Sequence, residues 1–276
     1  MKLYVLMILI ADSGSTKTDW CLVKNGKEVK RIQTIGLNPF TINSDSILKT
    51  ISQLELNFLE IRKVFFYGAG CGNNEKKSQM LFSLKHFFKN ADIHVYSDLL
   101  AVARALLKTE SGYIGILGTG SNVAYFDGEN IQPVCTSLGY LLGDEGSGNY
   151  LGKQFLKHFI LGKFKDEILS QINLNKHNIL SDLYSSETPN RYLASFSPLI
   201  HQLKSFPQVR DLIYQNFNDW IMLYLIPNSI TTIQLCGSIA YYYEDELKSI
   251  CHSNNIIITS VIKKPITQLV IYHSEN

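Results

Sequence analysis

Two short turns in the sequence are rich in the residue types that bind phosphate. The first, at residues 12–18, reads Asp-Ser-Gly-Ser-Thr-Lys-Thr, and the second, at residues 118–122, reads Gly-Thr-Gly-Ser-Asn. Glycine lets backbone N–H groups approach an anion without obstruction by a Cβ atom, and the Ser and Thr hydroxyls add further donors. Each turn therefore predicts a phosphate cradle, although a tight hairpin turn would need the same glycines for its geometry alone.

The two turns share their surroundings. Residues 8–11 predict a buried strand before the first turn, and residues 20–23 predict a returning strand that ends at Asn25-Gly26. Asn-Gly and Asp-Gly favour a type I′ hairpin, whose two central residues need positive φ. The second turn has matching strands and a matching Asp-Gly signal, at residues 114–117, 123–126 and 127–128. A repeat at this spacing predicts two related halves.

One carboxylate lies at the junction of a predicted strand and a predicted helix. Residues 93–96 predict the strand, residues 99–107 predict the helix, and Asp98 stands between them. As a helix N-cap, Asp98 would stabilise the helix by about 1 kcal/mol and need no other role. A carboxylate at the carboxyl end of a sheet strand is also where a general base belongs, so both roles are open from the residues alone.

Two loops in the first half could bind a ligand. Asn38 stands before a proline, and residues 68–73 hold three glycines, which indicates close approach of the backbone to another group. Each loop also has a plain structural explanation. Asn38 could initiate a turn before a helix predicted at 44–59, and the glycines could serve contact with a helix predicted at 75–89.

The most specific motif in the chain is residues 139–147, which read Gly-Tyr-Leu-Leu-Gly-Asp-Glu-Gly-Ser. Asp144 is placed as the N-cap of a helix that should run to about Ile160, and Glu145 could complement the dipole of that helix. Further on, residues 231–240 predict a strand, a Gly-Ser turn at Gly237 and a helix. Taken alone, the latter pattern could be a plain strand–helix turn.

Together these motifs resemble the sugar kinase, heat-shock chaperone and actin ATPase superfamily. Within it, the chain resembles the BadF/BadG/BcrA/BcrD ATPase family and, inside that family, the N-acetylglucosamine kinases. The core at residues 143–147 matches the family residue for residue, while Tyr140 stands where tryptophan is common. The resemblance implies an α/β fold with two ribonuclease H-like domains and a nucleotide cleft between them, which we expect at residues 1–109 and 110–276.

The resemblance also implies a role for each motif. Asp98 would be the catalytic base, and Asp12 would hold Mg²⁺. The residues expected to bind ATP lie in the two phosphate turns and in the adenosine motif: Gly14, Ser15, Thr16, Lys17, Gly118, Thr119, Gly120, Ser121, Gly237 and Ser238. The residues expected to bind the sugar are Asn38, Gly70, Asn122, Gly139 and Asp144.

The implied activity is phosphoryl transfer from ATP to the 6-hydroxyl of an amino sugar, with N-acetylglucosamine as the first candidate. Glucosamine and N-acetylmuramic acid are alternative acceptors. Two alternatives come from other classes: an ATPase that activates another enzyme, and a regulatory or actin-like nucleotide-binding protein. In the family, reductase activators hold an iron–sulfur cluster with cysteines. The five cysteines of this chain are scattered and form no Cys-x-x-Cys pair, which argues against such an activator and predicts reduced thiols in the cytoplasm.

The composition fits a globular protein that acts on small molecules. Its 26 basic and 24 acidic residues give a net charge of +2 without a dense Lys/Arg cluster, so we expect no nucleic-acid partner. No apolar run approaches the length of a membrane helix, which is about 20 residues.

Residues 1–11 resemble a short secretory signal, but its removal would delete the predicted first strand, so we favour the strand and keep Met7 as an alternative start. Residues 161–230 predict helices without readable chemistry, and a homodimer is a hypothesis that the sequence does not test.

Overall fold

The computed structural model describes residues 6–275, whose contacts form two compact units. The described part of the first unit comprises residues 6–111, 126–131 and 264–275, and the second comprises residues 112–125 and 132–263. The hypothesis of a start at Met7 concerns residues 1–6, of which residues 1–5 lie outside the described residues. The expected division at 109/110 stays a proposal, but the chain end, which it assigned to the second domain, packs with the first unit.

A five-stranded sheet is the base of the first unit. Its strands are β1 (Met7–Ser13), β2 (Lys17–Lys24), β3 (Lys27–Ile35), β4 (Lys63–Gly68) and β5 (Asp92–Ser97). They follow the order β3-β2-β1-β4-β5, with β2 antiparallel to both β1 and β3, and with β4 parallel to both β1 and β5. Three helices connect or follow these strands. Helix α1 (Ser44–Ser52) lies between β3 and β4, α2 (Asn74–Phe87) lies between β4 and β5, and α3 (Asp98–Leu106) follows β5.

The central strand β1 is buried along most of its length, as its unbroken apolar run predicts. Leu9 and Ala11 pack in a core with Trp20, Phe66 and residues of α1 and α2. The edge strand β3, in contrast, alternates between partly buried and exposed residues because only one of its faces is covered. Burial of β1 fixes the register of the sheet, since a shift by one residue would expose its apolar side chains.

A second five-stranded sheet, nearly all of it in the second unit, repeats the same topology. Its strands are β6 (Gly112–Leu117), β7 (Ser121–Phe126), β8 (Ile131–Pro133), β9 (Thr232–Cys236) and β10 (Ile257–Ile262). The sheet order is β8-β7-β6-β9-β10, which matches β3-β2-β1-β4-β5 strand for strand. Strand β9 runs parallel to β6 and β10, as β4 runs parallel to β1 and β5. The predicted repeat of two related halves is therefore confirmed.

Helices fill most of the second unit, as predicted for residues 161–230. They are α4 (Gly139–Leu142), α5 (Gly148–Ile160), α6 (Asp166–Leu169), α7 (Lys176–Ser185), α8 (Pro189–Ala194), α9 (Ser197–Gln202), α10 (Pro207–Trp220), α11 (Ser238–Tyr242) and α12 (Glu244–Ser253). A π-helical turn, Ile221–Leu225, directly follows α10. The core of this unit contains Phe155, Phe217 and Trp220, all of which are buried.

The last helix, α13 (Ile266–Glu275), packs on α3 and on the first sheet. The ring of His273 stacks on Phe65 with centroids 3.8 Å apart, and its Nε2 lies 2.8 Å from the hydroxyl of Tyr67. Arg104 of α3 donates a hydrogen bond of 2.7 Å to the same hydroxyl. Burial chiefly lowers the pKa of His273 to about 3, so the ring is neutral and can accept the Tyr67 proton.

Two local predictions differ from the structure. Asn25 and Gly26 both have positive φ, as a type I′ turn requires, but at the second hairpin only Gly128 does. The Asp127 carboxylate accepts hydrogen bonds from the N–H groups of Glu129 and Asn130, which stabilises a longer loop, so the type I′ prediction is wrong there. Helix α1 begins after an Asn43 cap as expected, but it ends at Ser52 and not at residue 59. Within residues 6–275, no helix is both long and apolar enough to cross a membrane.

Candidate functional site

Three parallel strands of the first unit end at the same level. Ser13 of β1 pairs with Gly68 of β4, and Gly68 pairs with Ser97 of β5, so the carboxyl ends of these strands form one edge of the sheet. We call it the first-unit edge. The loop after β4 is tied to β1 there by a hydrogen bond of 2.8 Å from the Ala69 N–H to the Ser13 carbonyl. In open α/β sheets, ligands bind at such an edge.

The first phosphate turn is a tight hairpin between β1 and β2, closed by a hydrogen bond from the Gly14 N–H to the Lys17 carbonyl. Gly36 packs directly against this turn, since a Cβ atom at Gly36 would lie 2.3 Å from the Gly14 carbonyl oxygen. The Gly36 N–H also donates to the Thr16 carbonyl, at 2.9 Å. Sequence reasoning missed Gly36, although it lies next to the Asn38 segment that the sequence singled out.

Asp12 lies one residue before the end of β1, opposite Asp19 of β2. Burial first, and then the negative charges of Asp19 and Asp98, raise the pKa of Asp12 to about 7, while Lys264 acts in the opposite direction. The Asp19 carboxylate accepts hydrogen bonds from Lys264, at 2.7 Å, and from Gln33, at 2.8 Å. The charge of Asp19 is therefore compensated by direct contacts. A cation near Asp12 would relieve the remaining repulsion between Asp12 and the carboxylates of Asp19 and Asp98.

Asp98 is the first residue of α3 and not its N-cap. Ser97 is the cap, because β5 continues to Ser97 and the Ser97 hydroxyl accepts a hydrogen bond from the Leu100 N–H. The Asp98 carboxylate accepts from the Leu99 N–H at 2.9 Å. Burial raises the pKa of Asp98 to about 6, even though backbone hydrogen bonds lower it. The capping alternative is therefore wrong, and Asp98 is a partly buried carboxyl group at the first-unit edge.

Asn38 and Gly70 are neighbours in the structure. Gly70 has φ +82°, and a Cβ atom there would lie 2.6 Å from the Asn38 Oδ1 atom and 2.8 Å from the ring of Phe40. The Asn38 Oδ1 atom accepts a hydrogen bond of 3.0 Å from the Phe40 N–H, which closes an Asx turn. The structure thus brings together two predicted sugar-binding residues that are 32 positions apart in sequence.

The second phosphate turn is supported by the start of α5. The Gly148 N–H donates to the Gly118 carbonyl at 2.8 Å, and the Asn149 N–H donates to the Thr119 carbonyl at 3.1 Å. The Asn149 side chain also donates to the Thr119 carbonyl, at 2.6 Å. Gly237, with φ +124°, packs on the same segment, because a Cβ atom there would lie 2.2 Å from the Leu117 carbonyl oxygen.

Asp144 lies against this turn. Its carboxylate accepts hydrogen bonds from the Ser121 N–H, at 3.3 Å, and from the Asn149 side chain, at 2.7 Å. A Cβ atom at Gly120 would lie 2.9 Å from the carboxylate. Burial raises the pKa of Asp144, and the two hydrogen bonds act in the opposite direction. The N-cap of α5 is Ser147, so the prediction that Asp144 caps this helix is wrong.

The other predicted site residues lie in a small cavity, at the starts of two helices and at the tip of the first turn. Asn122 and Asp144 line one small cavity in the second unit. Gly139 begins the short helix α4, and Ser238 begins α11 after Gly237. Thr16 and Lys17 are exposed at the tip of the first turn, beside the partly buried Gly14 and Ser15.

The helical region contributes residues that the sequence did not reveal. Asn216 of α10 accepts a hydrogen bond from the Gly146 N–H at 3.0 Å, and a Cβ atom at Gly146 would lie 2.8 Å from Trp220. Tyr224, in the π-helical turn, donates a hydrogen bond of 2.6 Å to Glu145. These contacts hold the loop that carries Asp144. Turns of π-helix are frequent at functional sites, so the π-helical turn at Ile221–Leu225 marks this region in the structure. No residue pattern in the sequence predicted that turn.

Comparisons with known proteins agree with this fold. A scan against protein-family models finds no match, and a search of curated proteins finds none. Among solved structures, a candidate N-acetylglucosamine kinase from Porphyromonas gingivalis is 37% identical, with 98% of this chain and 99% of that chain covered and a TM-score of 0.89. A candidate N-acetylglucosamine kinase from Chromobacterium violaceum has 17% identity, coverage of 98% and 99%, and a TM-score of 0.68. A glucokinase from Streptomyces griseus, solved with glucose and AMPPNP, has 12% identity, 98% coverage of both chains and a TM-score of 0.56.

The repeated sheet topology and these likenesses define the class of the protein, which is an actin-like ATPase fold of the sugar kinase type. The identity to the Porphyromonas gingivalis protein extends over nearly all of both chains. The chain therefore belongs to the N-acetylglucosamine kinase-like group of the BadF/BadG/BcrA/BcrD ATPase family. The protein is an ATP-dependent sugar kinase, and the predicted fold class, family and enzyme class are confirmed.

The contact between Gly36 and the first phosphate turn can be tested with Gly36→Ala. The added methyl group meets backbone atoms that cannot rotate away, so we expect the free energy of unfolding to fall by about 1–3 kcal/mol and the affinity for ATP to fall with it. Denaturant unfolding and nucleotide titration would measure both. Gly72→Ala is the matched control, because Gly72 is exposed and its nearest contact would be 3.8 Å away. Equal behaviour of the two variants would contradict the supporting role of Gly36.

Proposed function

We propose that this enzyme transfers the γ-phosphoryl group of ATP to the 6-hydroxyl of N-acetylglucosamine. The observation that carries the proposal is Asp98, a partly buried carboxyl group with a raised pKa at the first-unit edge, in the same unit as Asp12 and the first phosphate turn. The 37% identity to a candidate N-acetylglucosamine kinase supports the choice of sugar. We also propose a cytoplasmic location, because the reaction consumes ATP and the five cysteines are free thiols.

Asp98 would act as the general base. Phosphoryl transfer asks the protein mainly to position the reactants and to stabilise charge, and the acceptor hydroxyl must lose its proton to a nearby group. A carboxylate whose pKa is about 6 is mostly ionised at neutral pH and is a stronger base than an ordinary aspartate. The Leu99 N–H holds one carboxylate oxygen, which orients the side chain at the start of α3.

The two glycine turns, Gly14–Lys17 and Gly118–Ser121, would hold phosphates of ATP, although the Gly14, Gly118 and Ser121 N–H groups already donate within the protein. Gly237 and Ser238 would lie against the nucleoside. Asp12 fits Mg²⁺, because this ion takes hard oxygen ligands, usually only one or two from protein carboxylates. Residues 6–275 contain no group of three or more side chains that could form a complete metal cage, as expected for an ion that shares its ligands with phosphates and water. Bound Mg²⁺ would neutralise charge on the phosphates.

Asn38, Gly70, Asn122, Gly139 and Asp144 would hold the sugar. Asp144 is suited to bind hydroxyl groups, since its carboxylate is already fixed by Asn149 and Ser121. Gly70 leaves room beside the Asn38 side chain that any larger residue would fill. Fixed polar groups of this kind lower the entropy cost of orienting a sugar.

The activity itself is tested by ADP release with a panel of acceptors. We expect turnover with N-acetylglucosamine to exceed turnover with glucosamine, with N-acetylmuramic acid and without any sugar, because a kinase must protect its phosphoryl donor from water. Mass spectrometry of the product would confirm the 6-phosphate. If ATP is hydrolysed equally fast with and without every amino sugar, the kinase proposal fails and an ATPase that activates another enzyme replaces it.

Asp98→Asn should lower kcat by roughly 10²-fold or more, because it removes the proton acceptor. In the wild type, kcat should fall as the pH drops through about 6, where Asp98 becomes protonated.

Asp98→Asn should also change thermal stability. The folded state raises the pKa of Asp98 to about 6, so its ionised form destabilises the fold above that pH. The variant should therefore melt at a higher temperature than the wild type at neutral pH, and this difference should shrink as the pH falls to about 4. Asp92→Asn, which changes an exposed carboxylate at the start of β5, the strand that leads to Asp98, is the control, and an equal effect of both variants on kcat would argue against a base at position 98.

Asp12→Ala should raise the Mg²⁺ concentration needed for half-maximal activity more than it raises the KM for the sugar. The expectation follows from the loss of a hard carboxylate ligand beside the phosphate turn. Activity measured across a Mg²⁺ titration would show the shift. Asp45→Ala removes an exposed carboxylate of the same unit and should leave the titration unchanged. An unchanged Mg²⁺ dependence in Asp12→Ala would contradict the assignment.

A further inference from the structure

The side chain of Asn149 connects two parts of the candidate site in the second unit. Its Nδ2 group donates to the Thr119 carbonyl at 2.6 Å and to the Asp144 carboxylate at 2.7 Å. Thr119 lies in the turn that we propose holds phosphate, and Asp144 is the residue that we propose binds the sugar. We call these two hydrogen bonds the Asn149 bridge. Through it, the two hydrogens of one buried amide join two proposed ligand sites.

The orientation of the Asn149 amide depends on these two acceptors. The side chain is fully buried, and its Oδ1 atom has no hydrogen-bond partner within residues 6–275. A buried amide oxygen without a partner costs free energy, and the two short bonds from Nδ2 offset that cost. If either acceptor moves away, a buried donor loses its bond. The positions of Thr119 and Asp144 are therefore linked through Asn149.

Asn149 also sets the direction of one peptide group in the phosphate turn. The Thr119 carbonyl accepts a second hydrogen bond, of 3.1 Å, from the Asn149 backbone N–H. That carbonyl belongs to the same peptide group as the Gly120 N–H, and in a trans peptide the two point in opposite directions. Both bonds from Asn149 therefore hold the Gly120 N–H toward the other side of the peptide. An anion that accepts from this N–H would polarise the peptide and strengthen the bonds at the Thr119 carbonyl.

The backbone of Asp144 needs support to keep its conformation. Its φ of +64° costs free energy for a residue other than glycine. The carboxylate is held by Asn149 at 2.7 Å and by the Ser121 N–H at 3.3 Å, so the bond from Asn149 is the shorter of the two. Without that bond, relief of the strain would favour conformations in which the carboxylate leaves the turn.

We propose that Asn149 is a positioning residue that couples ATP binding to sugar binding. This inference rests on the proposed function, because it takes the second turn as a phosphate site and Asp144 as a sugar ligand. Phosphate bound at the Gly120 N–H stabilises the peptide direction that Asn149 recognises, and Asn149 holds Asp144 in the conformation that binds sugar. By thermodynamic linkage, bound sugar strengthens nucleotide binding by the same factor.

The coupling is measured as a ratio of two dissociation constants. Calorimetry gives the Kd for N-acetylglucosamine without nucleotide and with saturating AMPPNP and Mg²⁺. In the wild type we expect AMPPNP to lower this Kd by about tenfold. In Asn149→Leu, whose side chain is similar in size but has no donor, the ratio should fall below about threefold. A wild-type ratio near one, or an unchanged ratio in the variant, would overturn the proposal.

Asn216→Leu is the matched control. Asn216 is another buried asparagine of the second unit, and its side chain accepts from the Gly146 N–H in the loop that carries Asp144. This variant removes a buried amide from the same loop but leaves the Asn149 bridge in place. We expect it to lower the free energy of unfolding as Asn149→Leu does, but to keep the coupling ratio within about twofold of the wild type. An equal loss of coupling in both variants would show a general loosening of the loop and overturn the role of Asn149.

A measurement on the wild-type enzyme covers the case in which Asn149→Leu does not fold. Hydrogen exchange with mass spectrometry reports on the N–H groups of residues 145–149, which include those of Gly146 and Ser147, bonded to Asn216 and to the Asp144 carbonyl. AMPPNP with Mg²⁺, in the absence of sugar, should slow this exchange by about threefold or more, because it favours the bridged conformation. Exchange that nucleotide leaves unchanged would overturn the proposal.

The outcomes separate the two proposals. Phosphorylation of N-acetylglucosamine, with coupling lost in Asn149→Leu and kept in Asn216→Leu, supports both. Phosphorylation with coupling that Asn149→Leu leaves intact overturns the Asn149 bridge as the coupling element and leaves the proposed function standing. If no amino sugar is phosphorylated, the proposed function fails, and this inference fails with it.

Discussion

In each unit, a glycine backbone packed against the glycine-rich turn is the contact on which the proposed phosphate binding depends. In the first unit Gly36 supports the turn at residues 14–16, and in the second unit Gly237 supports the end of β6. At both positions a Cβ atom would lie less than 2.5 Å from a main-chain carbonyl oxygen, a distance that no side-chain movement can relieve. Each turn therefore keeps one conformation, in which the Gly14 N–H donates to the Lys17 carbonyl and the Gly118 N–H donates to the Gly120 carbonyl.

Near these turns, burial disfavours the charged form of three carboxylates. Asp12, Asp98 and Asp144 all have raised pKa values, and burial is the first cause each time. At Asp19, by contrast, Lys264 and Gln33 compensate the negative charge. A fold selected for stability alone would have paired or replaced the buried carboxylates. Asp12 lies near the end of β1 and Asp98 directly follows β5, positions that suit a metal ligand and a general base of the proposed kind.

Several side chains of the second unit fix Asp144, the residue that we propose binds the sugar, and the loop that carries it. Asn149 fixes the Asp144 carboxylate, while Asn216, Trp220 and Tyr224 fix the loop on either side of it. Asp144 itself has φ +64°, a conformation that costs free energy for a residue other than glycine. The hydrogen bonds of its carboxylate and the packing of the loop offset that cost. Helix α10 and its π-helical turn thus support the loop that carries Asp144.

The sequence by itself determined most of the elements, the family and the enzyme class. Local signals sufficed for the strands, for the two phosphate turns, for Asn25-Gly26 and for the repeat of the two halves, because hydrophobic periodicity and turn residues act over a few positions. The motif at residues 143–147 was enough to indicate the family, which the comparison confirms. Element ends were less accurate, as the early end of α1 and the caps at Ser97 and Ser147 demonstrate, since the side chain that satisfies the first N–H groups depends on where the preceding strand or loop stops.

Only the tertiary structure decided which distant residues meet. Gly36 against Gly14, Asn38 against Gly70, and Tyr224 against Glu145 join positions between 22 and 79 residues apart, and no local pattern encodes such contacts. The packing of α13 on the first sheet is of the same kind, because it depends on the fit of His273 to Phe65 and Tyr67. The raised pKa values are likewise a tertiary property, since burial and neighbouring charge exist only after the strands have come together.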